Sequence, residues 1–524
     1  MSESRSYNLL CQPWIPVVWL NDAAGPKEPK ISIREALERA PEIRCISHTS
    51  PFIEFGLYRL LITIVLDAYI VAGRRPTIGK VRQMLEEGKF DPCVIGCYLE
   101  SYKAGFELWG DGERFLQRKP ADGKKAGAVV RMFAAIPSGT NVAHWHHGTE
   151  DEIGVSEEVA AQFLSAVSPW NFKTKPGEAR TLAGDPPMYA LVLGKSLFET
   201  IVLNLPRPSG RVTSKQESDN GPAWRTALAL DKLPKVPTVA QGYTWPVRVI
   251  ELDGSGTQVE KATNYSSYKK PTDKAKDKGG NLYDPKSAWR DPGAGTITTR
   301  DAIDHIKARP GVPVWRDAVP LFLVASEGEP LRGEKRRSRP EVVTNALRVT
   351  ESKELRVAVY GMRKKSGGGG DVKVEEWFRS VLTLPAEVAR DERLSYQALD
   401  AFRIAQKVAD ATRTAMRMLR PKMDALPRQK AKLNEMRRTE GDRIGQLWQA
   451  LEPVLANSYL NALAAAKSDA RKVLYERLRT EARTAFKASA DPQRRSADGL
   501  FRIANASNYL ERRLARLLPK VINS

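Results

Sequence analysis

Apolar and polar positions follow three different patterns along the chain. Up to about residue 210, strand-like runs such as Pro13–Leu20 are mixed with helical runs such as Glu54–Ile70 and Glu157–Val167. Ser32 is followed three residues later by Glu35, which is the spacing of a capping box and predicts the start of a helix. This part of the chain is therefore predicted to be mixed in secondary structure.

Between about residues 211 and 385 the pattern becomes strand-like, with long polar insertions. Thr244–Leu252 and Glu354–Met362 have the composition of strands. Two of the insertions are cationic: Tyr268–Asn281, which is rich in lysine and holds two glycines, and Arg332–Pro340. We expect this region to be rich in strands that are separated by inserted loops.

After about residue 391 the pattern is helical, with predicted helices at Tyr396–Leu419 and Val473–Phe486. Two more are indicated by apolar residues at helical spacing, namely Ile444, Leu447, Trp448, Leu451, Val454 and Leu455, and then Leu500, Ile503, Ala504, Leu510, Leu514 and Leu517. Four such helices predict an antiparallel four-helix bundle. The predicted fold class is α+β: a mixed N-terminal domain over residues 1–385 and the bundle over residues 386–524.

The charge of the chain indicates the kind of partner that it binds. Its 524 residues include 83 Lys and Arg against 62 Asp and Glu, so the net charge is +21 and the pI is about 9.7. Lys and Arg beside phosphates release condensed counterions, so nucleic acid is the first candidate and an anionic membrane surface the second. The polar faces of the C-terminal helices could also guide a DNA strand, since they carry Arg413, Arg417, Arg420, Lys422, Arg428, Lys430 and Lys432.

The cysteines and the longest apolar run predict a cytoplasmic protein that does not bind or span a membrane. Four cysteines are too few for a disulfide framework, and Cys93 and Cys97 form a C-x3-C pair with no second pair to complete a zinc site. The N-terminus lacks the layout of a signal peptide. The apolar run Leu57–Gly73 contains Arg59 and Asp67 and is short for a membrane span, so we interpret it as a buried helix.

One long polar loop, Ala134–Asp151, contains the sequence HWHH. Metal ligands must converge from fixed positions, and His144, His146 and His147 have neither a helical partner spacing nor a second cluster nearby in the sequence. The indole of Trp145 is suited to stacking on a base. We therefore favour contact with a partner such as RNA over metal binding.

A second segment, Val357–Trp377, is predicted to be a hairpin with a cationic tip. Two strand-like runs flank Arg363, Lys364, Lys365 and four glycines, and no G-K-[ST] follows the glycines, so the tip is not a phosphate-binding loop. The chain also has no G-x-S-x-G, no H-E-x-x-H and no spaced cluster of carboxylates with a histidine. The sequence therefore favours a binding protein without a cofactor over an enzyme.

Several segments, in order, resemble the large subunit of the type I-E CRISPR Cascade surveillance complex. They cover nearly the whole chain and include YNLLCQPWIPVVW, SIREALERAPEIRCIS, YLESYKAGFELWGDGERFLQ, SGTNVAHWHH, GKSLFETIVLNLP, TWPVRVIEL, DPKSAWR and VYGM…VKVEEW. The resemblance implies a non-enzymatic subunit that recognises a short protospacer-adjacent motif (PAM) in double-stranded DNA, promotes R-loop formation and helps to recruit the helicase-nuclease. Its implied partners are the CRISPR guide RNA, the target duplex, the helicase-nuclease, and the backbone, handle-binding and small subunits.

The resemblance also implies roles for particular residues. The loop that contacts the guide's 5′ handle and a neighbouring subunit would use Asn141, His144, Trp145 and His147. Contacts to DNA and the PAM would come from Lys269, Lys270, Lys274, Asn171, Lys173 and Lys175. The hairpin that wedges into the duplex would use Arg363, Lys364, Lys365, Gly370, Asp371, Val372 and Lys373, where the best-known members of the family carry Asn-Gln-Ala and this chain carries Gly370, Asp371 and Val372.

Two other functions fit parts of the sequence. One is a metal-dependent nuclease that uses the HWHH loop. The other is a general basic RNA-binding scaffold, which would show no preference for a motif in duplex DNA.

Overall fold

A computed structural model of the chain describes residues 6–21, 29–110, 112–132, 154–171, 181–207, 212–226, 236–254, 257–266, 289–298, 303–309, 312–323, 336–366, 372–420 and 427–519. The chain divides into two compact units. The first contains Met1–Ala308, Pro340–Thr350 and Ala358–Arg379, and the second contains Arg309–Arg339, Glu351–Val357 and Ser380–Ser524. The boundary predicted between residues 385 and 386 stays a prediction.

The helices are α1 (Ile33–Glu38), α2 (Pro51–Val71), α3 (Ile78–Glu87), α4 (Pro92–Ser101), α5 (Glu157–Trp170), α6 (Leu197–Leu203), α7 (Ser214–Asp219), α8 (Val239–Tyr243), α9 (Val314–Leu321), α10 (Glu341–Val349), α11 (Ala386–Arg390), α12 (Glu392–Met418), α13 (Pro427–Glu452), α14 (Leu460–Ala464), α15 (Ala470–Ala490) and α16 (Ala497–Leu517). A π-helical segment, Pro453–Tyr459, joins α13 to α14. Short 3-10 helices lie at Ala40–Glu42, Lys103–Phe106, Val129–Met132 and Asp491–Arg495.

The strands are β1 (Ile15–Trp19), β2 (Lys30–Ile31), β3 (Ile43–Ile46), β4 (Gly127–Ala128), β5 (Val155–Ser156), β6 (Tyr189–Leu193), β7 (Arg248–Asp253), β8 (Gln258–Val259), β9 (Lys261–Ser266), β10 (Thr296–Thr298), β11 (Ile303–His305), β12 (Arg336–Ser338), β13 (Glu354–Ser366) and β14 (Val372–Pro385). In the first unit they form small sheets of order β2-β1-β3 and β4-β9-β7, together with the pairs β5-β8 and β10-β11. The parts of β13 and β14 that belong to this unit lie in a sheet of order β14-β13-β6.

Local signals in the sequence locate the early elements well. Ser32 accepts a hydrogen bond from the Glu35 amide, and the Glu35 carboxylate accepts one from the Ser32 amide, so the predicted capping box is present. The strand predicted at Pro13–Leu20 is β1, and the helix predicted at Glu157–Val167 lies within α5. The region between residues 211 and 385 is less purely β than expected. Its described residues also include the short helices α7, α8, α9 and α10, and α7 and α8 begin at further capping boxes.

Helix α2 forms the centre of the first unit. Its residues from Phe52 to Ile70 are all buried, and it packs against α4, α5, α6 and α8. The buried helix predicted for the apolar run Leu57–Gly73 is therefore confirmed. Among the described helices, none is long and apolar enough to cross a membrane.

The charged residues of α2 are each paired with a residue far away in the sequence. The Nη2 of Arg59 lies 2.5 Å from Oδ2 of Asp291, with the two side chains 6% and 1% exposed. Asp67 accepts two hydrogen bonds of 2.8 Å from the guanidinium of Arg225. Because an unpaired charge at such depth is costly, these pairs select one arrangement of the segments around α2.

The second unit is mainly helical. Helix α12 packs against α13, α15 and α16, and α13 also packs against α15. The ring centroid of Trp315 lies 5.9 Å from that of Phe402 and 6.0 Å from that of Trp448. The guanidinium carbon of Arg316 lies 4.3 Å from the ring centroid of Trp448. The α+β fold class is confirmed, while the bundle arrangement stays an interpretation.

Both helices indicated by apolar residues at helical spacing are present, as α13 with the π-helical segment and as α16, but only the first apolar set is fully buried. The apolar set from Ile444 to Leu455 is buried. In α16, however, Leu500 is 52% exposed and Ala504 is also exposed, whereas Gly499, Ala506, Leu510 and Leu514 are buried. Gly499 explains the difference. A Cβ there would lie 1.9 Å from the carbonyl oxygen of Gln493, so the helix turns its smallest residue, and not Leu500, towards the preceding segment.

We predict that Asp291→Asn destabilises the first unit by about 3–5 kcal/mol, because it leaves the buried guanidinium of Arg59 without its counter-charge. Urea unfolding followed by tryptophan fluorescence measures the change. The control is Glu42→Gln, which breaks the exposed pair of Glu42 with Arg39 (2.9 Å) and should leave the unfolding midpoint nearly unchanged. Equal effects of the two substitutions would contradict the importance of the buried pair.

We also predict a dependence on pH from His305. Burial lowers the pKa of its imidazole below the ordinary value of 6.5, and its Nε2 accepts a hydrogen bond of 3.2 Å from the Asp291 amide. As the pH falls, the imidazole therefore takes up its proton in the unfolded chain before it does so in the folded chain. The free energy of unfolding should then decrease as the pH drops below 6.5, by at most about 1.4 kcal/mol per pH unit for one proton. In His305→Gln the urea midpoint should fall less between pH 7.5 and 5.5, and parallel curves for parent and variant would refute the assignment.

Candidate nucleic-acid interface

The base of the predicted hairpin is fixed to the first turn of α2. The Tyr360 hydroxyl of β13 donates a hydrogen bond of 2.5 Å to Oε1 of Glu54, and Nε of Arg379 lies 2.8 Å from the same oxygen. Burial, together with the nearby Glu54, raises the pKa of Tyr360 well above its ordinary value, so this phenol stays a hydrogen-bond donor. Both strands of the hairpin are thus tied to one buried carboxylate.

Aromatic contacts reinforce this attachment. The ring centroid of Trp377, on β14, lies 5.0 Å from that of Phe52 and 5.4 Å from that of Trp170, the last residue of α5. On β13, the Tyr360 ring lies 5.2 Å from Phe55. The base of the hairpin therefore packs against the ends of two buried helices.

The residues predicted for the wedge lie further along the same strands. Lys364 and Lys365 belong to the backbone of β13, and Val372 and Lys373 to that of β14, whereas Gly370 and Asp371 lie outside the described residues. Arg363 forms an ion pair with Glu376, and its guanidinium carbon lies 5.2 Å from the ring centroid of Phe378. Its side chain is thus also engaged in linking the two strands.

The second predicted DNA-contacting segment leaves from the C-terminal end of α5. The amide of Asn171 donates to the carbonyl of Val167 (3.1 Å), and the carbonyl of Asn171 accepts from the amide of Thr181 (3.2 Å). The start and the end of the intervening segment are therefore held side by side. Lys173 and Lys175 lie outside the described residues.

The third predicted segment follows β9. In the antiparallel pair of β7 and β9, Arg248 lies opposite Ser266, the last residue of β9. Lys269, Lys270 and Lys274 come shortly after that point and lie outside the described residues.

The predicted guide-handle loop is bordered by elements at the other end of α5. Its residues Asn141, His144, Trp145 and His147 lie outside the described residues. The chain returns at β5, and Ser156 then caps α5 by accepting a hydrogen bond from the Val159 amide. As α5 has 14 residues, its two ends are roughly 21 Å apart. In the described part of the chain, no group of three His, Cys, Asp or Glu residues could hold a metal ion.

A cationic cleft that is open to solvent was not foreseen from the sequence. Its lining includes Arg114, Arg118, Arg248 and Trp245, together with Val167 and Ser168 of α5. We name it the arginine cleft. The arginines come from two segments about 130 residues apart, which β7 brings together because its Ile250 carbonyl accepts from the Arg118 amide (2.8 Å). Periodicity and spacing report on local structure, so no signal in either segment could have revealed the cleft.

The fold defines a basic α+β protein. The anchored hairpin, the arginine cleft and the starts of two lysine-bearing segments lie around the C-terminal end of α5. The chain belongs to the family of CRISPR-associated protein Cse1, whose family model matches residues 8–490. The family resemblance inferred from the sequence motifs is thereby confirmed.

Known relatives agree with this assignment. CRISPR-associated protein CasA/Cse1 of Thermus thermophilus is 28% identical over 272 residues, so the match spans 49% of this chain and about half (51%) of that relative. The fold is similar to solved structures of Thermus thermophilus CasA (TM-score 0.72, 19% identity, 98% of this chain and 100% of that chain) and Thermobifida fusca Cse1 (TM-score 0.72, 19% identity, 100% of both chains). A chain of a solved CRISPR RNA-guided surveillance complex is also similar (TM-score 0.67, 18% identity, 98% of this chain and 99% of that chain).

We predict that Gly361→Ala loosens the hairpin base. A Cβ at Gly361 would lie 2.5 Å from Cζ of Phe378, and crowding of this kind typically costs about 1–3 kcal/mol. The control is Gly96→Ala in α4, where a Cβ meets nothing within 4 Å and should stabilise the helix. Hydrogen exchange of the β13 amides should accelerate only in Gly361→Ala, and equal protection in both variants would show that Gly361 is dispensable.

Proposed function

We propose that this chain is the large subunit of a type I-E CRISPR surveillance complex, or Cascade, that acts in the cytoplasm. In this role it recognises the PAM in double-stranded DNA, promotes duplex opening and R-loop formation, and helps to recruit the helicase-nuclease. Its partners are the guide RNA, the target duplex and the backbone, handle-binding and small subunits. Its role is binding and positioning rather than catalysis. Membership of the Cse1 family and the net charge of +21 support this proposal.

The observation that carries the proposal is the convergence at the C-terminal end of α5. Trp170 contacts Trp377 of the hairpin, and Asn171 begins the segment that holds Lys173 and Lys175. Val167 and Ser168 line the arginine cleft together with Arg248, which lies opposite the end of β9. Segments far apart in the sequence, each predicted to contact DNA, therefore depart from neighbouring positions.

This arrangement suits motif recognition physically. Unstacking a base step costs on the order of a few kcal/mol, so a wedge needs a firm base and additional backbone contacts that offset the cost. The base is supplied by the Glu54, Tyr360 and Arg379 contacts. Backbone contacts position the duplex, while contacts at the hairpin and the lysine segment read the motif.

The primary test is a gel shift at a stated salt concentration. The guide complex is assembled with and without this chain and offered a matched duplex with a randomised flanking motif. We expect binding to require the chain and to enrich particular flanking bases. Affinity without such enrichment would favour the general RNA-binding scaffold. Cleavage by the isolated chain that a chelator abolishes, and that His144→Ala removes, would favour the nuclease.

We predict that Lys364→Ala combined with Lys365→Ala weakens duplex binding. If the lysines contact phosphates, the slope of log affinity against log salt should fall by about 1 for each lysine that neutralises a phosphate in the parent. The control combines Lys89→Ala and Lys195→Ala, which removes the same charge from exposed positions elsewhere in the first unit. If both double variants bind like the parent, the hairpin does not engage the duplex through these lysines.

Deletion of residues 367–370 separates opening from initial binding. The deletion shortens the tip while the anchored base of the hairpin is retained. We expect duplex opening, followed by a fluorescent base analogue beside the motif, to slow more than initial binding weakens. An unchanged rate of opening would remove the hairpin from the opening step.

A further inference from the structure

Cross-strand contacts at three levels join the described residues of the two hairpin strands. They pair Tyr360 with Arg379, Gly361 with Phe378, and Arg363 with Glu376. The residue numbers rise along β13 while they fall along β14, so the strands run antiparallel and each contact joins residues that lie opposite each other. Opposite charges in such a position stabilise the pairing of the strands. Of these three contacts, the ion pair of Arg363 with Glu376 is the nearest to the tip.

The contacts at the base and the ion pair near the tip lie on opposite faces of the strand pair. Successive side chains of a strand alternate between its two faces. Tyr360 and Trp377 contact the first turn of α2. Arg363, three residues after Tyr360, therefore lies on the other face, and so do Glu376 and Phe378, which flank Trp377. The contacts with α2 thus hold one face of the hairpin, while the ion pair of Arg363 acts on the other.

The guanidinium of Arg363 is already engaged by two groups. It forms an ion pair with the carboxylate of Glu376, and its carbon lies 5.2 Å from the ring centroid of Phe378, which is buried. The side chain of Arg363 is itself only 16% exposed. Its charge is therefore balanced within the hairpin, and the carboxylate of Glu376 would repel a phosphate that approached it. Arginine suits this position because its planar group can pair with a carboxylate and stack on a ring at the same time.

We propose that Arg363 is a positioning residue of the hairpin and not a contact to the target duplex. It acts through Glu376 and Phe378, with which it holds the two strands together on the face turned away from α2, and it thereby directs the tip that follows. This inference rests on the proposed function and deepens it. It separates the role of Arg363 from the role proposed for Lys364 and Lys365, although the three residues form one cationic run in the sequence.

The test compares Arg363→Gln, Glu376→Gln and the double variant in the assembled guide complex. Duplex opening is followed by a fluorescent base analogue beside the motif. A positioning role predicts that each single variant slows opening by about two- to fivefold, which is the size expected of one cross-strand pair. The double variant should open no more slowly than either single variant, because both substitutions break the same contact. Arg44→Gln, which removes an exposed arginine of β3, is the matched control and should open the duplex at the parental rate.

The salt dependence of binding distinguishes positioning from a direct contact. Affinities for matched duplexes are measured from about 50 to 200 mM KCl. The slope of log affinity against log salt should stay parental in Arg363→Gln, whereas loss of a phosphate contact would lower it by about 1. The urea midpoint should be nearly unchanged in every variant, because Glu376 is exposed and pairs with exposed carboxylates add little to global stability.

Three outcomes would overturn the proposal. The first is a parental rate of opening in folded complexes with Arg363→Gln or Glu376→Gln. The second is a lower salt slope in Arg363→Gln, which would make this arginine a phosphate contact. The third is a pair of effects that multiply in the double variant, which would show that the two residues act independently.

Failure of the proposed function would look different. A parent chain that enriches no flanking motif and opens no duplex would refute that function, and the role of Arg363 in directing a wedge would fail with it. Hydrogen exchange of the β13 amides in the free chain would still show whether Arg363 and Glu376 hold the strands together, since this measurement needs no DNA. Equal exchange in the parent and in both single variants would refute the strand contact itself.

Discussion

The buried ion pair of Arg59 and Asp291 is the constraint on which the first unit depends. Arg59 lies in the middle of α2, and α2 is surrounded by protein on every side. A charge there is tolerated only with its partner in place, so the segment with Asp291 must close over the helix, and Tyr243 completes the site with its ring centroid 3.9 Å from the guanidinium carbon. Asp67 imposes the same requirement on the segment with Arg225. A helix of purely apolar residues could bury as much surface without specifying which segments cover it.

The same helix connects the core to the proposed interface. Glu54, one turn into α2, holds both strands of the hairpin, and Phe52 packs against Trp377. A disturbance of α2 would therefore be transmitted to the hairpin base through short, direct contacts. Core stability and the proposed duplex engagement would therefore be coupled, so variants of the core have to be compared at equal folded fraction before any binding effect is interpreted.

The sequence predicted those features that are encoded locally. The capping box at Ser32, the buried helix from Leu57 and the strand at β1 each follow from residues within a few positions of one another. The arginine cleft and the pair of Arg59 with Asp291 could not be predicted from the sequence. They join residues more than 100 positions apart, and no local pattern indicates such a pairing. Leu500 shows a further limit: periodicity gives the helix, but the close approach allowed by Gly499 decides which stripe faces inward. The roles assigned to the lysine segment and the guide-handle loop stay predictions.

The register of a bound polyanion depends on where positive charge is placed more than on how much there is. A net charge of +21 by itself gives affinity for any polyanion and no register. A cation on a fixed element is different, because it fixes where one phosphate lies and thereby where the neighbouring base pairs lie. In this chain Lys364 and Lys365 belong to a strand whose base is clamped to α2.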